Sequence, residues 1–200
     1  MLGWMLMQAT CLLLAAGVAV AESARKVDAG PLTADDFRGD VPADARGDAN
    51  TKTELQFTYR YEYRVLGGRT TVTMVSVVVD AYVLQEESWN RLPDNMSLLD
   101  HEQGHADIAW IQCLKARLAV REKMQRRRGW RVAATSLDEA VAMLDAELSE
   151  MMQAFQQEGQ EADAAYDRDT QHGLGPRQRE WRRVHAATMK ELEAKLAARR

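Results

Sequence analysis

Two stretches in the first half of the chain alternate between apolar and polar residues, as half-buried β-strands do. From Leu55 to Val65 every odd position is apolar or aromatic and every even position is polar. The pair Gly67-Gly68 follows and is typical of a hairpin turn, because glycine adopts left-handed backbone angles without strain. The next stretch, Arg69 to Leu84, is rich in threonine and valine, which favour strands. One face of this second strand should be lined by Val75, Val77, Val79, Ala81 and Val83.

The second half of the chain carries apolar residues at helical spacing. The predicted helices span residues 98–127, 137–165 and 177–200. Ser97 and Ser136 are the predicted caps of the first two helices, each with an acidic residue three positions later. Residues 166–176 contain glycines and a proline and are predicted to form a loop. Strands followed by helices indicate an α+β fold.

The first 52 residues differ from the rest of the chain. Residues 1–21 have no charged side chain and end in Ala19-Val20-Ala21, a site typical of signal peptidase cleavage. The sequence therefore predicts a signal peptide and a periplasmic or secreted protein; an uncleaved membrane anchor is the alternative and the only expected link to a membrane. The composition of residues 22–52, with few large apolar side chains, predicts an extended or loosely ordered entry segment anchored by Phe37. Residues 53–200 are left to form one domain.

Composition narrows the possible functions. The chain has 200 residues, enough for one domain with a substantial core, and a net charge of -4, so nothing in it indicates a nucleic-acid partner. Cys11 falls in the predicted leader, which leaves Cys113 as a single thiol without a disulfide partner. We interpret Cys113 as a buried helix residue. The oligomeric state is not indicated.

Residues 101–105 read H-E-x-x-H within the first predicted helix. His101 and His105 are four residues apart, so on a helix their rings lie on one face and can bind one zinc ion. Glu102 lies one step round the helix, close enough to act on a water at the metal without binding the metal itself. Gly104 between them indicates either a close approach by another segment or a tolerated surface glycine.

A catalytic zinc ion needs a third protein ligand. We choose His172, in the predicted loop, because a loop can aim its side chain at another element; His185 is interpreted as a helix-surface residue. The alternative ligands are carboxylates: Asp167, Asp169, Glu147 and Glu150. Asp167 has a second possible role, orienting a histidine through its free ring N–H. Tyr166 is a candidate hydrogen-bond donor to an oxyanion, or else a packed aromatic.

Three motifs together resemble a family of bacterial exported proteins described as predicted secreted zinc-dependent proteases. The H-E-x-x-H motif extends over residues 99–109 and is followed by Ala116-Arg117-Leu118. An early motif, L-T-x-x-D-F-R-G, is matched at 32–39, and a late motif, Y-D-x-x-T-x-H-G, is matched at 166–173. Gln178 and Trp181 follow the late motif at a slightly longer spacing. The chain departs from the family at Ala106, where a bulky aromatic residue is usual.

This resemblance implies a zincin-like fold and a peptidase that acts on a peptide or protein substrate. In such enzymes a free sheet edge beside the active-site helix pairs with the extended peptide, and Arg69–Leu84 is the candidate edge strand. Zinc on His101, His105 and His172 would activate a water, and Glu102 would take its proton as general base and pass it to the leaving amine. The alternative from another class is a non-catalytic zinc-binding or interaction module of the cell envelope.

Overall fold

The computed structural model describes residues 23–45, 47–127, 129–172 and 176–198. The predicted signal peptide lies outside the described residues. Within these ranges, six strands and three α-helices form a mixed α+β fold with antiparallel sheets, as the sequence predicts. The strands are β1 (Ala24–Lys26), β2 (Ala49–Asn50), β3 (Thr53–Leu66), β4 (Arg69–Leu84), β5 (Trp89–Asn90) and β6 (Arg131–Ala134). The helices are α1 (Met96–Met124), α2 (Leu137–Thr170) and α3 (Gln178–Ala197). No helix in the described ranges has both the length and the apolar content needed to cross a membrane.

The predicted hairpin is the centre of the main sheet. Strands β3 and β4 pair over their whole length around the Gly67-Gly68 turn, where both glycines have positive φ. The register shifts at the pairs Arg60–Ser76 and Tyr61–Met74, which leaves Val75 as an extra residue in β4. Because a one-residue bulge moves all later side chains to the opposite face, β4 buries even positions before Val75 and odd positions from Val79 onward. The prediction that Val75 lines the core face is therefore wrong, since it is exposed.

Strand β4 is not an edge strand, and this prediction is also wrong. It pairs with β3 on one side and with β1 and β6 on the other. Within the described sheet the edge strands are β3 on one side and the short β1 and β6 on the other, so β3 is the long strand with a free side. At the start of β3 even that side is occupied, because the amide of Gln156 accepts from Leu55 N at 3.2 Å and donates to the Thr53 carbonyl at 3.5 Å.

The buried face of the sheet packs against α1 and α2. Helix α1 contributes a stripe of small residues at helical spacing, Ala106, Ala109, Cys113, Ala116 and Val120, which lets it lie close to the sheet. Its N-cap is Asn95, whose side chain accepts from Ser97 N and Leu98 N, so the prediction of Ser97 as the cap is wrong by two residues. Ser136 does cap α2, accepting from Glu139 N.

The described residues of the entry segment, which was predicted to be extended or loosely ordered, pack on the core. Val27 and Leu32 are buried anchors, whereas Phe37 is only partly buried. Asp36 is buried and is bound by Arg25 and by the Gln85 amide. The segment also contacts α1, since Leu32 N donates to Gln103 Oε1 at 2.7 Å. The N-terminal stretch is thus attached next to the H-E-x-x-H motif.

Candidate metal centre

The H-E-x-x-H motif lies on the first turns of α1, with its polar face turned into the protein. The rings of His101 and His105 lie 5.0 Å apart between centroids. His101 is 1% exposed and Glu102 is 3% exposed. Together with the neighbouring His105 they form one group of potential ligand atoms within 4.8 Å of one another. The predicted pairing of the two rings on one buried helix face is confirmed.

Helix α2 supplies the carboxylate that faces both rings. Oδ1 of Asp167 lies 3.1 Å from Nε2 of His101 and 3.2 Å from Nε2 of His105. Donor atoms around a tetrahedral zinc ion lie about 3.3 Å apart, because each metal–ligand bond is about 2.0–2.2 Å long. Asp167 Oδ1 therefore lies at a typical ligand-to-ligand distance from each of the two Nε2 atoms.

The other nitrogen of each ring is held by a second residue of α2. Asp163 Oδ1 lies 2.9 Å from His105 Nδ1 and, as a carboxylate, accepts a hydrogen bond from the Nδ1–H group. Thr170 Oγ1 donates to the carbonyl of Tyr166 at 2.7 Å and lies 3.4 Å from His101 Nδ1. Because the hydroxyl hydrogen is already used, Thr170 accepts a hydrogen bond from His101, which places the ring proton on Nδ1. With that tautomer, and with His105 neutral, both Nε2 atoms carry lone pairs directed at Asp167; the other tautomer of His101 instead donates a hydrogen bond from Nε2 to Asp167 Oδ1.

Two ring lone pairs and a carboxylate oxygen at these distances repel one another unless a cation lies between them. In the metal-free protein a ring proton supplies part of that charge. Burial disfavours the charged form of His105, but hydrogen bonds to Asp163 and Asp167 outweigh burial and raise its pKa to about 10. Hydrogen bonds from His101 and His105 in turn lower the pKa of Asp167, against the opposing effect of burial. One divalent ion would satisfy all three acceptors together.

His172 reaches the same place from the end of α2. Its Nδ1 lies 3.6 Å from Asp167 Oδ1, and its ring centroid is 5.9 Å from that of His101. Gln171 and His172 both have left-handed backbone angles, which turn the chain back over the site. The His172 side chain is 70% exposed. The structure thus brings the exposed His172 ring to the rim of the site, where it forms one group of potential ligand atoms with His101 and Asp167, all within 4.8 Å of one another.

The remaining predicted ligands lie elsewhere. Asp169 is turned toward α3, where it accepts from Trp181 Nε1 at 3.3 Å and pairs with Arg177. Glu147 binds Lys123 and Trp130. Glu150 is exposed, and at 1.5 Å per residue it lies about 25 Å from Asp167 along α2. None of these three carboxylates belongs to a ligand group among the described residues.

Glu102 is held by the entry segment. Thr51, between β2 and β3, donates its hydroxyl to Glu102 Oε2 at 2.6 Å. The described residues donate no hydrogen bond to the second oxygen, Oε1, although Glu102 is only 3% exposed. This leaves one oxygen of the predicted general base free to act.

Tyr166 is fully buried behind the two histidines. Its ring stacks on His101 with centroids 4.8 Å apart, and its hydroxyl donates to the His101 carbonyl at 3.2 Å. Burial raises the pKa of this hydroxyl. A Cβ on Gly104 would lie 2.3 Å from the Tyr166 ring, so the glycine permits a close approach by α2. This geometry favours the packed-aromatic interpretation of Tyr166 over that of an oxyanion donor.

His185 is not a surface residue, which corrects its interpretation from the sequence. It is 2% exposed and lies between the rings of Tyr166 and Trp181. Burial, with repulsion from His105 and Arg182, lowers its pKa to about 4. His185 therefore stays neutral behind the site and is not in a ligand group of the described residues.

Three residues of the site were missed by the sequence analysis: Thr51, Asp163 and Thr170. Two of them have a signal in the sequence, because Asp163, Asp167 and Thr170 follow the spacing i, i+4, i+7 of one helix face. Helix α2 was predicted to end near Ala165, which hid this spacing. Thr51 has no comparable signal, since only the path of the entry segment brings it to Glu102.

No protein-family model, no curated protein and no solved structure matches the chain.

Proposed function

We propose that this protein is a zinc-dependent hydrolase of peptide bonds, exported from a bacterial cell. The observation that carries the proposal is the position of Asp167 Oδ1, which lies 3.1 Å from His101 Nε2 and 3.2 Å from His105 Nε2, close to the spacing of neighbouring zinc ligands. Asp163 and Thr170 support it, because metal-binding histidines generally donate their other ring N–H to a neighbouring acceptor.

The donor set fits zinc in its chemistry. Two imidazole nitrogens and one carboxylate are typical of catalytic zinc sites, which leave a fourth position open. We assign His101, His105 and Asp167 as the ligands, with His172 at the rim as the remaining candidate. When bound, zinc supplies the Lewis acidity that makes a water nucleophilic near neutral pH.

Glu102 is the proposed general base. Its carboxylate is next to both histidines, and its free oxygen can accept the proton of the attacking water. As the peptide bond breaks, the same carboxyl returns that proton to the leaving amine, so Glu102 ends each cycle ionised. Tyr166 takes no part in the proposed proton transfers, because its hydroxyl is bonded to the His101 carbonyl.

The peptide class rests on the resemblance of residues 32–39, 99–109 and 166–173 to predicted secreted zinc-dependent proteases. A solvent-accessible cleft beside the site is consistent with it. The cleft lies between the start of β3, α1 and α2 and is lined by Leu55, Phe155 and Gln112 among others; Asp163, the partner of His105, is also in its wall. The cleft encloses about 250 Å³ and meets the proposed metal site at Asp163.

The test uses the full-length protein, its metal content and a library of quenched fluorescent peptides. We expect one zinc per chain and cleavage of a subset of the library. Glu102→Gln should abolish cleavage and keep the zinc, whereas Glu122→Gln, an exposed glutamate on the same helix, should change neither. Unimpaired cleavage by Glu102→Gln would refute the general base, and a wild-type protein that binds no zinc would refute the centre.

A second candidate is a zinc-binding module without catalysis. It is favoured by one observation, the approach of His172 to Asp167, because four protein ligands would close the site to water. In that case the zinc-loaded protein would cleave nothing in the library. Removal of His172 would then weaken zinc binding about as much as removal of Asp167.

A further inference from the structure

Thr51 connects the entry segment to the proposed general base. Its hydroxyl lies 2.6 Å from Glu102 Oε2, the length of a hydrogen bond to an ionised carboxylate. The contact joins residues 51 positions apart in the sequence, so it is a product of the fold. It is also the one hydrogen bond that the described residues make to the Glu102 carboxylate.

The position of Thr51 is itself fixed on both sides. β2 ends at Asn50 and pairs with β5, and β3 begins at Thr53 and pairs with β4. Between them, Lys52 N donates to Ser88 Oγ at 2.9 Å, and the Lys52 carbonyl accepts from Leu84 N at 2.9 Å. Thr51 is therefore carried on an extended backbone that is bonded immediately before and after it.

A glutamate has three side-chain torsions, and only a few of its orientations place an oxygen beside a water at the metal. A donor fixed to one oxygen restricts the rotation of the carboxylate and leaves the other oxygen to take the proton. In a buried site such a bond is stronger than in water. Glu102 has the required burial, with 3% of its surface exposed.

We propose that Thr51 is the positioning residue of the general base: it holds Glu102 Oε2 so that Oε1 is directed toward the attacking water. The inference rests on the proposed hydrolase function. It goes beyond it by giving the N-terminal entry segment a role in the reaction.

The kinetic test compares two substitutions in the full-length protein. Thr51→Val removes the hydroxyl and keeps the branched shape, so we expect kcat to fall about 10–100-fold, the usual effect of losing such an outer partner, with KM and zinc content unchanged. Thr51→Ser keeps a hydroxyl and should restore most of kcat. Thr58→Val, at an exposed threonine of β3, is the control for the same exchange. The substrate is the library peptide that the wild type cleaves fastest.

A second measurement does not depend on activity. In the metal-free protein the ¹³C resonance of the Glu102 carboxylate, assigned by its loss in Glu102→Gln, should move in Thr51→Val and return in Thr51→Ser. An unmoved signal, an unchanged kcat, or a loss that appears in KM alone would overturn the inference. A wild type that cleaves no peptide would refute the proposed hydrolase, whereas the carboxylate signal would still decide whether Thr51 holds Glu102.

Discussion

Replacing Asp167 by asparagine separates the two candidates for the third ligand. The substitution keeps the size of the side chain but removes the charge between the two Nε2 atoms. Zinc binding to small protein sites is worth about 10–16 kcal/mol in total, or about 2.5–4 kcal/mol for each of four ligands. Loss of one ligand should therefore weaken zinc binding about 10²–10³-fold.

Competition with a fluorescent zinc chelator measures this affinity directly. Asp167→Asn should show the full loss, whereas His172→Ala should lose less than about tenfold, because the His172 side chain is 70% exposed and Asp167 lies between the other two rings. Asp169→Asn is the matched control, since that carboxylate lies in the same turn but faces Trp181. If His172→Ala loses affinity about 100-fold and Asp167→Asn does not, the ligand set is the one predicted from sequence.

Three further predictions concern the helices and the charge of the site. Gly104→Ala should lower the melting temperature, because its Cβ would lie 2.3 Å from the Tyr166 ring and overpacking costs about 1–3 kcal/mol. Gly159→Ala should instead stabilise the protein by about 0.5–1 kcal/mol, since its Cβ would meet Gln112 at an ordinary 3.4 Å and alanine favours a helix. Equal effects of the two substitutions on the melting temperature would contradict this reasoning. The raised pKa of His105 stabilises the folded, metal-free protein. This contribution to the free energy of unfolding is present in full below pH 6.5 and is lost as the pH rises to about 10. As the pH rises through this range, zinc competes less and less with the His105 proton, so the apparent zinc affinity should rise. An affinity that stays constant between pH 6.5 and 9 would refute this prediction.

The hairpin was predictable because its residues obey local rules. Alternation in 55–65, the Gly67-Gly68 turn and the β-branched run after it determine two strands and their turn. The bulge at Val75 was not predictable, since nothing in a run of valines marks the residue that is left unpaired. The same limitation applies to the sheet edge: whether β4 is central depends on β1 and β6, which are three and four residues long and come from distant parts of the chain.

The metal centre was predictable only where its residues are neighbours on one helix. His101, Glu102 and His105 belong together by spacing alone, but the third donor depends on where α2 ends. Glycine at 173 and 175 with proline at 176 indicated a loop, yet α2 continues to Thr170 because Tyr166 is packed against Gly104 and His101. This stabilisation comes from packing between helices, which the helix propensities of the residues do not include. Once the last turn is helical, Asp163, Asp167 and Thr170 share one face toward α1, and a carboxylate meets both rings where a loop histidine was expected. The absence of a side chain at Gly104 is thus what lets the second helix bring its acceptors to the first, and changing that residue should disturb the site as well as the fold.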